Sequence, residues 1–356
     1  MKSIIVSIIV AVLIGVGVYM PGKIHESPKK ENITNNEKIE IVTSLEDEIT
    51  SNSAWCGTFN LIWNDLKNDL AKQDIKFVEN SKIVDNLNKG TFTINELSEE
   101  SYYKTYGRPT FELKAEIEKA IKEKFDERSD ILDDFEWSKD GKNAYFLYSM
   151  LKKKFEYPKK FNKLESGTFE KYDNVRYFGI DVKTKKEVRN QVEVLYYNSE
   201  DNFALKINTK SNDEIIVSVG NEENNFLDIY NSIMKEKEEY SDAKFLRNNE
   251  TFKMPYMSFD LKEEITEVEN KPFYFSNGEE YIIDKALQTI QFELDEKGGK
   301  IKSEAGMSMK VASVMPQKPR NFNVDETFTI FLVEKEKNLP YFAAKIADIS
   351  LVQRVN

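Results

Sequence analysis

The feature that most constrains the fold is a long segment near the C-terminus, rich in glycine and proline, that lies between strand-like runs. Ala286–Glu296 precedes it, and Phe322–Glu334 and Pro340–Ile346 follow it. β-branched and aromatic residues dominate these runs, which predicts strands. Connections longer than about 12–15 residues are uncommon in compact domains and are usually functional or disordered. The sequence therefore predicts a displayed loop whose two ends are tied to strands.

Composition limits the partners of the chain. With 356 residues, one large domain or two small ones is expected. The 23 Phe and 17 Tyr residues are enough for a substantial core. A net charge of −11 argues against nucleic-acid binding, whose footprint is a basic surface.

The single histidine and the single cysteine limit the chemistry. His25 lies in polar sequence just beyond the first apolar segment. A Ser-His-Asp triad, a Cys-His pair or a histidine-ligated zinc site would need a histidine in the folded part. The sequence therefore predicts no catalytic residue, no metal and no cofactor, and a hydrolase that uses carboxylates alone is the one enzymatic alternative. Cys56 has no histidine to activate it and is predicted to be a small buried hydrophobe.

The N-terminus predicts export. Ile4–Met20 is uncharged and follows Lys2. Its length is near the lower limit of about 17 residues for a spanning helix and exceeds the core of about 7–15 residues in signal peptides. We expect residues 1–21 to be a signal-anchor, or else a cleaved signal peptide, with the rest at the extracytoplasmic side of the membrane or secreted. Residues 22–45 are predicted to be a polar stalk, and residues 46–352 a single domain.

Helical periodicity occurs mainly in the N-terminal half. Cys56–Leu70, Glu112–Arg128 and Asn225–Glu238 each carry apolar residues along one face, which predicts helices that pack on a core. Lys142–Phe155 is predicted to be a further helix. The apolar faces comprise Phe59, Ile62, Trp63, Leu66 and Leu70; Leu113, Ile117, Ile121 and Phe125; and Phe226, Ile229, Tyr230 and Ile233.

Strand patterns begin at about residue 165. Short polar breaks separate the runs, as in an antiparallel meander. Thr251–Leu261 is predicted to be a strand that is bulged or at an edge, because it contains Pro255. Helices before strands favour an α+β fold in which a helical part packs on antiparallel sheets. The runs of the meander are Asn174–Val182, Val188–Tyr197, Phe203–Thr209 and Glu214–Val219.

The last third of the chain resembles the serpin family. Ala286–Gly298 is similar to the strand that enters the serpin hinge, with its Glu-x-Gly signature. Phe322–Phe328 is similar to the Phe-x-x-Asp-x-Pro-Phe element, with Thr327 where proline is usual. Pro340–Ile346 is similar to the closing Pro-x-Phe-x-Gly-x-Val strand, with Ala344 where glycine is usual. The resemblance extends from about residue 250 to 348, is thin from 165 to 250, and is absent before that.

The resemblance assigns roles to individual positions. It implies three sheets, surrounding helices and an exposed or sheet-inserted loop, residues 299–320, that acts as bait for an extracellular serine or cysteine protease. Counting from Glu296 at the usual family length implies cleavage between Ala312 and Ser313, within the window Met309–Met315. Small residues there suit an elastase- or subtilisin-like protease, whereas Lys310 or Arg320 would suit a trypsin-like one. The implied hinge is Glu296, Gly298 and Gly299, and the implied scaffold motif is Phe322, Asp325, Phe328, Pro340 and Phe342.

The loop also has a pattern of its own. Gly299–Val311 alternates with the two-residue period of a half-buried strand. Two interpretations follow: an insertable bait, or a strand already in its sheet, as in a non-inhibitory binding or structural protein on the same scaffold. Gly299 lies where family inhibitors carry Thr or Ser, and Ile301, Lys302 and Glu304 lie where they carry alanines, so the resemblance implies slow insertion. One face comprises Ile301, Ser303, Ala305, Met307, Met309 and Val311, and the other Lys300, Lys302, Glu304, Gly306, Ser308 and Lys310.

Overall fold

The computed structural model describes residues 38–79, 81–141, 144–298 and 319–354. The strands are β1 (Glu40–Ile41), β2 (Ser53–Cys56), β3 (Tyr102–Gly107), β4 (Phe146–Leu151), β5 (Asn162–Lys163), β6 (Gly167–Phe169), β7 (Tyr172–Val175), β8 (Tyr177–Ile180), β9 (Val192–Ser199), β10 (Asn202–Asn208), β11 (Asp213–Val219), β12 (Thr251–Pro255), β13 (Met257–Glu264), β14 (Pro272–Tyr274), β15 (Glu280–Ile282), β16 (Leu287–Leu294), β17 (Asn321–Asn323), β18 (Phe328–Glu334) and β19 (Phe342–Ile346). The helices are α1 (Thr58–Asp65, followed by a π-helical turn over Leu66–Ala71), α2 (Lys82–Lys89), α3 (Phe111–Phe125), α4 (Lys186–Arg189) and α5 (Phe226–Glu239).

The largest sheet has seven strands in the order β1-β2-β19-β18-β11-β10-β9. All neighbours are antiparallel except β1 and β2. Three of the four runs predicted as a meander form β9, β10 and β11, whereas the fourth, Asn174–Val182, contains β8, which pairs with β12 and β5 in another sheet. Every residue of β18 is buried. Helix α5 covers one face, where Phe226 and Tyr230 contact the ring of Phe331 at centroid distances of 6.2 and 5.5 Å. This sheet and α5 form the centre of the core.

A second sheet has four strands in the order β17-β12-β8-β5. β17 is an edge strand that pairs in parallel with β12 over three residues. β12 lies so close to β8 that a Cβ atom on Gly179 would be 2.0 Å from the carbonyl oxygen of Phe252. Only glycine allows this approach of two backbones. β13–β16, β3–β4, β14–β15 and β6–β7 are separate antiparallel pairs.

Three predicted helices are confirmed as α1, α3 and α5. Local capping explains where two of them begin: the side chain of Thr110 accepts the backbone N–H of Leu113, and the side chain of Asn225 accepts that of Asp228. Cys56 ends β2 instead of opening α1. The α+β class is confirmed, and the helical part also contains strands.

The helix predicted over Lys142–Phe155 is wrong. Part of this stretch is β4, which pairs with β3 in antiparallel register. Phe146 and Tyr148 are buried at a spacing of two residues, and they share a cluster with Ile117 and Ile121 of α3. Because α3 and β3 cover these aromatic side chains from one side, the period of two prevails over helix propensity.

Two predicted strands are each divided between two sheets. Thr251–Leu261 comprises β12, which ends at Pro255, and the start of β13. Phe322–Glu334 comprises most of β17 and all of β18. Pro255 therefore marks the place where the chain leaves one sheet for another, and it is not a bulge within one strand.

The boundary predicted for the stalk is also corrected. Residues 38–45 belong to the folded body, because Ile39, Ile41 and Leu45 are buried and β1 pairs with β2. The predicted segment 1–21 and the remainder of the stalk lie outside the described residues, as do Gly299, Ala312 and Ser313. The assignments of those residues remain predictions.

Candidate functional site

A cleft of about 1770 Å³ lies between β4 and β16. β4 pairs with β3 and β16 pairs with β13, and among the described residues each has a partner on one edge only. Within the described part of the chain, the edges that border the cleft therefore present backbone N–H and C=O groups without a strand partner. Such edges are templates for pairing with another strand.

Polar side chains meet at the floor of the cleft, where β2 leads into α1. Ser149 of β4 donates its hydroxyl to the carbonyl oxygen of Thr58 at 2.7 Å. Gln288 of β16 donates Nε2 to the carbonyl oxygen of Cys56 at 2.9 Å and to Oγ1 of Thr58 at 3.2 Å. Gln288 is 3% exposed, and its buried Oε1 has no hydrogen-bond partner among the described residues. Most buried acceptors have a partner, which makes this oxygen an exception in the part of the chain that the structure describes.

Backbone hydrogen bonds close one end of the cleft. Beyond β4, the N–H of Tyr157 donates to the carbonyl oxygen of Lys297 at 3.0 Å, and Gly298 forms an isolated antiparallel bridge with Glu156. Gly298 has φ +90°, and a Cβ atom there would lie 2.6 Å from the nitrogen of Tyr157. The end of β16 thus requires glycine at the position where the chain departs toward residue 299.

Glu296, the predicted hinge residue, is buried beside this end. Its Oε2 accepts the hydroxyl of Tyr256 at 2.8 Å, and its Oε1 lies 3.1 Å from Nζ of Lys160 and 3.7 Å from Nζ of Lys163. Burial alone would raise the pKa of Glu296, but hydrogen bonds from Tyr256 and Lys160 outweigh it and lower the pKa to about 2. Burial and the Glu296 carboxylate raise the pKa of Tyr256. The Glu296 carboxylate is therefore a fixed negative charge.

A buried ion cluster fixes the other strand of the cleft. Nζ of Lys153, just beyond β4, lies 2.6 Å from Oδ1 of Asp213 and 2.6 Å from Oε1 of Glu334. Both carboxylates are nearly inaccessible, and the ring of Tyr341 lies 4.8 Å from the ammonium. Because Asp213 and Glu334 belong to β11 and β18, this cluster ties the end of β4 to the seven-stranded sheet.

The predicted scaffold residues are structural. Phe322, Phe328, Pro340 and Phe342 are buried, and Asp325 accepts from Nζ of Lys253 at 3.0 Å. They do not gather at one site. Phe342 alone approaches the cleft, since its ring lies 4.7 Å from that of Phe292 on β16.

The prediction that Arg320 suits recognition by a trypsin-like protease is wrong. Its side chain is 6% exposed and pairs with Glu250. A buried guanidinium cannot enter the specificity pocket of a protease. Lys310 and the window Met309–Met315 lie outside the described residues.

Sequence reasoning missed Ser149, Gln288 and Glu250. Gln288 carried a weak signal, because it is the polar member of the inward set of β16, whose other members are Ile290, Phe292 and Leu294. Ser149 and Glu250 carried none, since Thr58 bonds to Ser149 and Arg320 bonds to Glu250 from distant positions in the chain. Cys56 agrees with its prediction: it is 9% exposed, and burial raises the pKa of its thiol.

No group of three or more His, Cys, Asp or Glu side chains in the described ranges could hold a metal ion. No helix in them combines the length and the apolarity needed to cross a bilayer.

The chain matches no protein-family model and no curated protein. It is similar to solved serpin structures. Tengpin, a thermophilic serpin in its native state, is 10% identical with a TM-score of 0.47, over 89% of this chain and 99% of tengpin. Human glycosylated kallistatin is 12% identical with a TM-score of 0.41, over 77% and 71%. Serpin48 of the insect Tenebrio molitor is 13% identical with a TM-score of 0.35, over 71% and 78%. The predicted resemblance to the serpin family agrees with these structural similarities, which say nothing of activity.

Proposed function

We propose that the protein engages a protease through residues 299–318, and that after cleavage residues 299–311 enter the cleft between β4 and β16 as an added strand. The observation that carries this proposal is the cleft itself. Two strand edges without partners among the described residues border it, and it begins where β16 continues into residue 299. A strand in the cleft would gain hydrogen bonds on both edges.

The position of Gly298 supports this entry. The bridge between Gly298 and Glu156 already lies between β16 and the chain that follows β4. The N–H of Gly298 approaches the carbonyl oxygen of Asp295 at 3.4 Å, which closes a turn that reverses the chain. A segment that continues from this turn would run back along β16.

The phase of the alternation also supports it. If the pairing of Asp295 with Gly298 is extended, Ile301 comes opposite Phe292, and Ala305 comes opposite Gln288. Phe292 and Gln288 belong to the buried face of β16. Opposed residues point to the same side of a sheet, and a slip of one residue would reverse every side chain. The apolar set of 301–311 would therefore face the core, with its lysines toward water.

The acceptor without a partner gives this strand a specific contact. In the same register, Ser303 would lie diagonal to Gln288 on the inward face. Its hydroxyl could then donate to Oε1 of Gln288, which has no partner among the described residues. Filling a buried acceptor is worth about 1–3 kcal/mol.

Limited proteolysis of the full chain followed by a melting curve tests the proposal. We expect serine or cysteine proteases to cut first within 299–318, and the cut chain to melt at least about 10 °C above the intact chain, because several apolar side chains become buried. A complex with the protease that survives denaturant would mark an inhibitor, and a stabilised product without such a complex would mark a decoy. A cut chain that melts no higher than the intact one would refute strand addition.

A second function is a binding or structural protein without inhibitory activity, in which 299–311 occupies the cleft of the intact chain. The bridge of Gly298 to Glu156 favours it, because the first residue of such a strand is already in place. Hydrogen exchange distinguishes the two. Slow exchange of amides 301–311 before cleavage supports permanent pairing, and fast exchange there excludes it.

We also propose that residues 1–21 export and tether the protein, so that the target is an extracellular protease. The support is the uncharged run Ile4–Met20. We expect the full chain in the membrane fraction of expressing cells and a chain without residues 1–21 in the cytosol. Recovery of the full chain in the cytosol would contradict this proposal.

A further inference from the structure

The chain re-enters the described structure at Pro319, and the next residue is held by buried polar contacts. Arginine has five N–H donors in its guanidinium, and all five of those on Arg320 have acceptors. Nε donates to Oε1 of Glu250 at 2.7 Å, Nη2 to Oε2 of Glu250 at 2.9 Å and to the carbonyl oxygen of Phe245 at 3.0 Å, and Nη1 to the hydroxyl of Tyr240 at 2.6 Å and the carbonyl oxygen of Ala243 at 2.8 Å.

Glu250 is fully buried and shared between two arginines. It accepts the backbone N–H of Arg320 at 3.3 Å, and from Arg247 it accepts the backbone N–H at 2.8 Å and Nη1 at 3.0 Å. Burial opposes its charge, but hydrogen bonds from Arg320 and Arg247 hold the pKa of Glu250 below its ordinary value. The two-point pairing with Arg320 is the strong form of this interaction.

The backbone around Arg320 is weakly held by comparison. β17 has three residues, lies at the edge of its sheet and pairs with β12 alone. Short edge strands contribute few ladder hydrogen bonds. The side chain of Arg320 thus supplies most of the polar contacts at this end, and its guanidinium also lies 5.3 Å from the ring centroid of Phe322.

We propose that Arg320 and Glu250 form a latch that fixes the C-terminal end of the protease-facing segment. This proposal rests on the proposed function and adds where the protease-facing segment ends. The bond that a protease cuts lies upstream of Pro319, and the fragment that begins after the cut stays bound to the fold. Movement after cleavage then starts at Gly298, which is held by backbone contacts only. Arg320 is a positioning residue, since it does not touch the protease.

Trypsin tests the latch directly, because it cuts after arginine and lysine. In the native full chain we expect no product that begins at Asn321. R320K keeps the positive charge and the trypsin site but loses the two-point pairing, and E250Q removes the carboxylate. In both variants we expect the 320–321 bond to be cut at least about tenfold faster than in the unchanged protein, since local opening limits such cleavage. Mass spectrometry of products at early times gives the rates.

R247K is the matched control. It alters the second arginine on Glu250 and leaves the five contacts of Arg320, so the 320–321 bond should stay resistant. Circular dichroism checks that each variant is folded at the temperature of digestion, and R320K serves where E250Q fails to fold. Equal resistance of R320K and the unchanged protein would overturn the latch, as would rapid cutting of the unchanged protein at this bond. The result does not depend on any gain of stability after cleavage within 299–318, so the proposed function can fail separately.

Discussion

The hydroxyl of Tyr256 lies 2.8 Å from Oε2 of Glu296. This contact joins the junction between β12 and β13 to the turn that follows β16. Tyr256 is the residue at which the chain passes from one sheet to another, and Glu296 precedes the departure of the chain at Gly298. One hydrogen bond therefore connects the four-stranded sheet to the closed end of the cleft.

This carboxylate predicts an acid-dependent loss of stability. The pKa of Glu296 is about 2 in the folded state and 4.5 ordinarily. A depressed pKa stabilises the fold above the ordinary value, and that stability is lost as the pH falls from about 4.5 toward 2. Because the side chains of Lys160 and Lys163 are more than half exposed, we expect about 2 kcal/mol after solvent screening. Urea unfolding at pH 7 and pH 3 measures it; E296Q should lose less than the unchanged protein over this interval, and an equal loss contradicts the assignment.

Gly298→Ala should destabilise the end of the cleft. The new Cβ would combine a positive φ with a distance of 2.6 Å to the nitrogen of Tyr157. Gly278 is a matched control, since its φ is +87° and nothing lies within 4 Å of an added Cβ. G278A should cost about 1 kcal/mol of strain and G298A about 2–3 kcal/mol more. Equal melting temperatures would show that the close approach to Tyr157 carries no cost.

Lys153→Met should be among the most damaging single changes in the chain. It would leave the carboxylates of Asp213 and Glu334 buried without their cation, which costs about 3–5 kcal/mol. Lys152→Met is the comparison, because Lys152 pairs with the half-exposed Glu127 and should cost less than about 1 kcal/mol. Chemical unfolding of both variants gives the difference, and similar values would remove Lys153 as the anchor of β4.

Ser303 and Gln288 should be energetically coupled after cleavage and uncoupled before it. We expect S303A to reduce the stability gained on cleavage by about 1 kcal/mol, and to have no such effect when Gln288 is replaced by Met. The measurement is a double-mutant cycle on intact and cut chains. A cycle that closes without coupling in the cut chain would rule out the register in which Ala305 lies opposite Gln288.

Local sequence patterns predicted the secondary-structure elements that depend mainly on residues close to one another in the chain. The apolar stripe of α5 and the runs of β-branched and aromatic residues in β9, β10 and β11 are of this kind, and both are confirmed. β4 was missed because its partner β3 lies far upstream, and the covering of Phe146 and Tyr148 by α3 is a tertiary event. The sequence predicted that β1 belongs to the stalk, because a strand of two residues is too short to show a two-residue hydrophobic period.

The same distinction between local signals and contacts of distant residues holds for the candidate site. The turn at Gly298 was marked by its glycine, and the segment that follows by its length. The latch was not predictable, because Glu250 and Arg320 meet only when β12 and β17 pair. The orientation of the Gln288 side chain was not predictable either. Its amide donates to residues at the start of α1, which lie more than two hundred residues earlier in the chain.

The position of Cys56 has a practical consequence. It is the one thiol in the chain, it is buried, and its carbonyl oxygen accepts Nε2 of Gln288 at the floor of the cleft. Alkylating reagents can therefore reach the sulfur of Cys56 only when these buried contacts open. The rate of thiol labelling then measures how often the cleft opens in the unmodified protein, without an introduced probe.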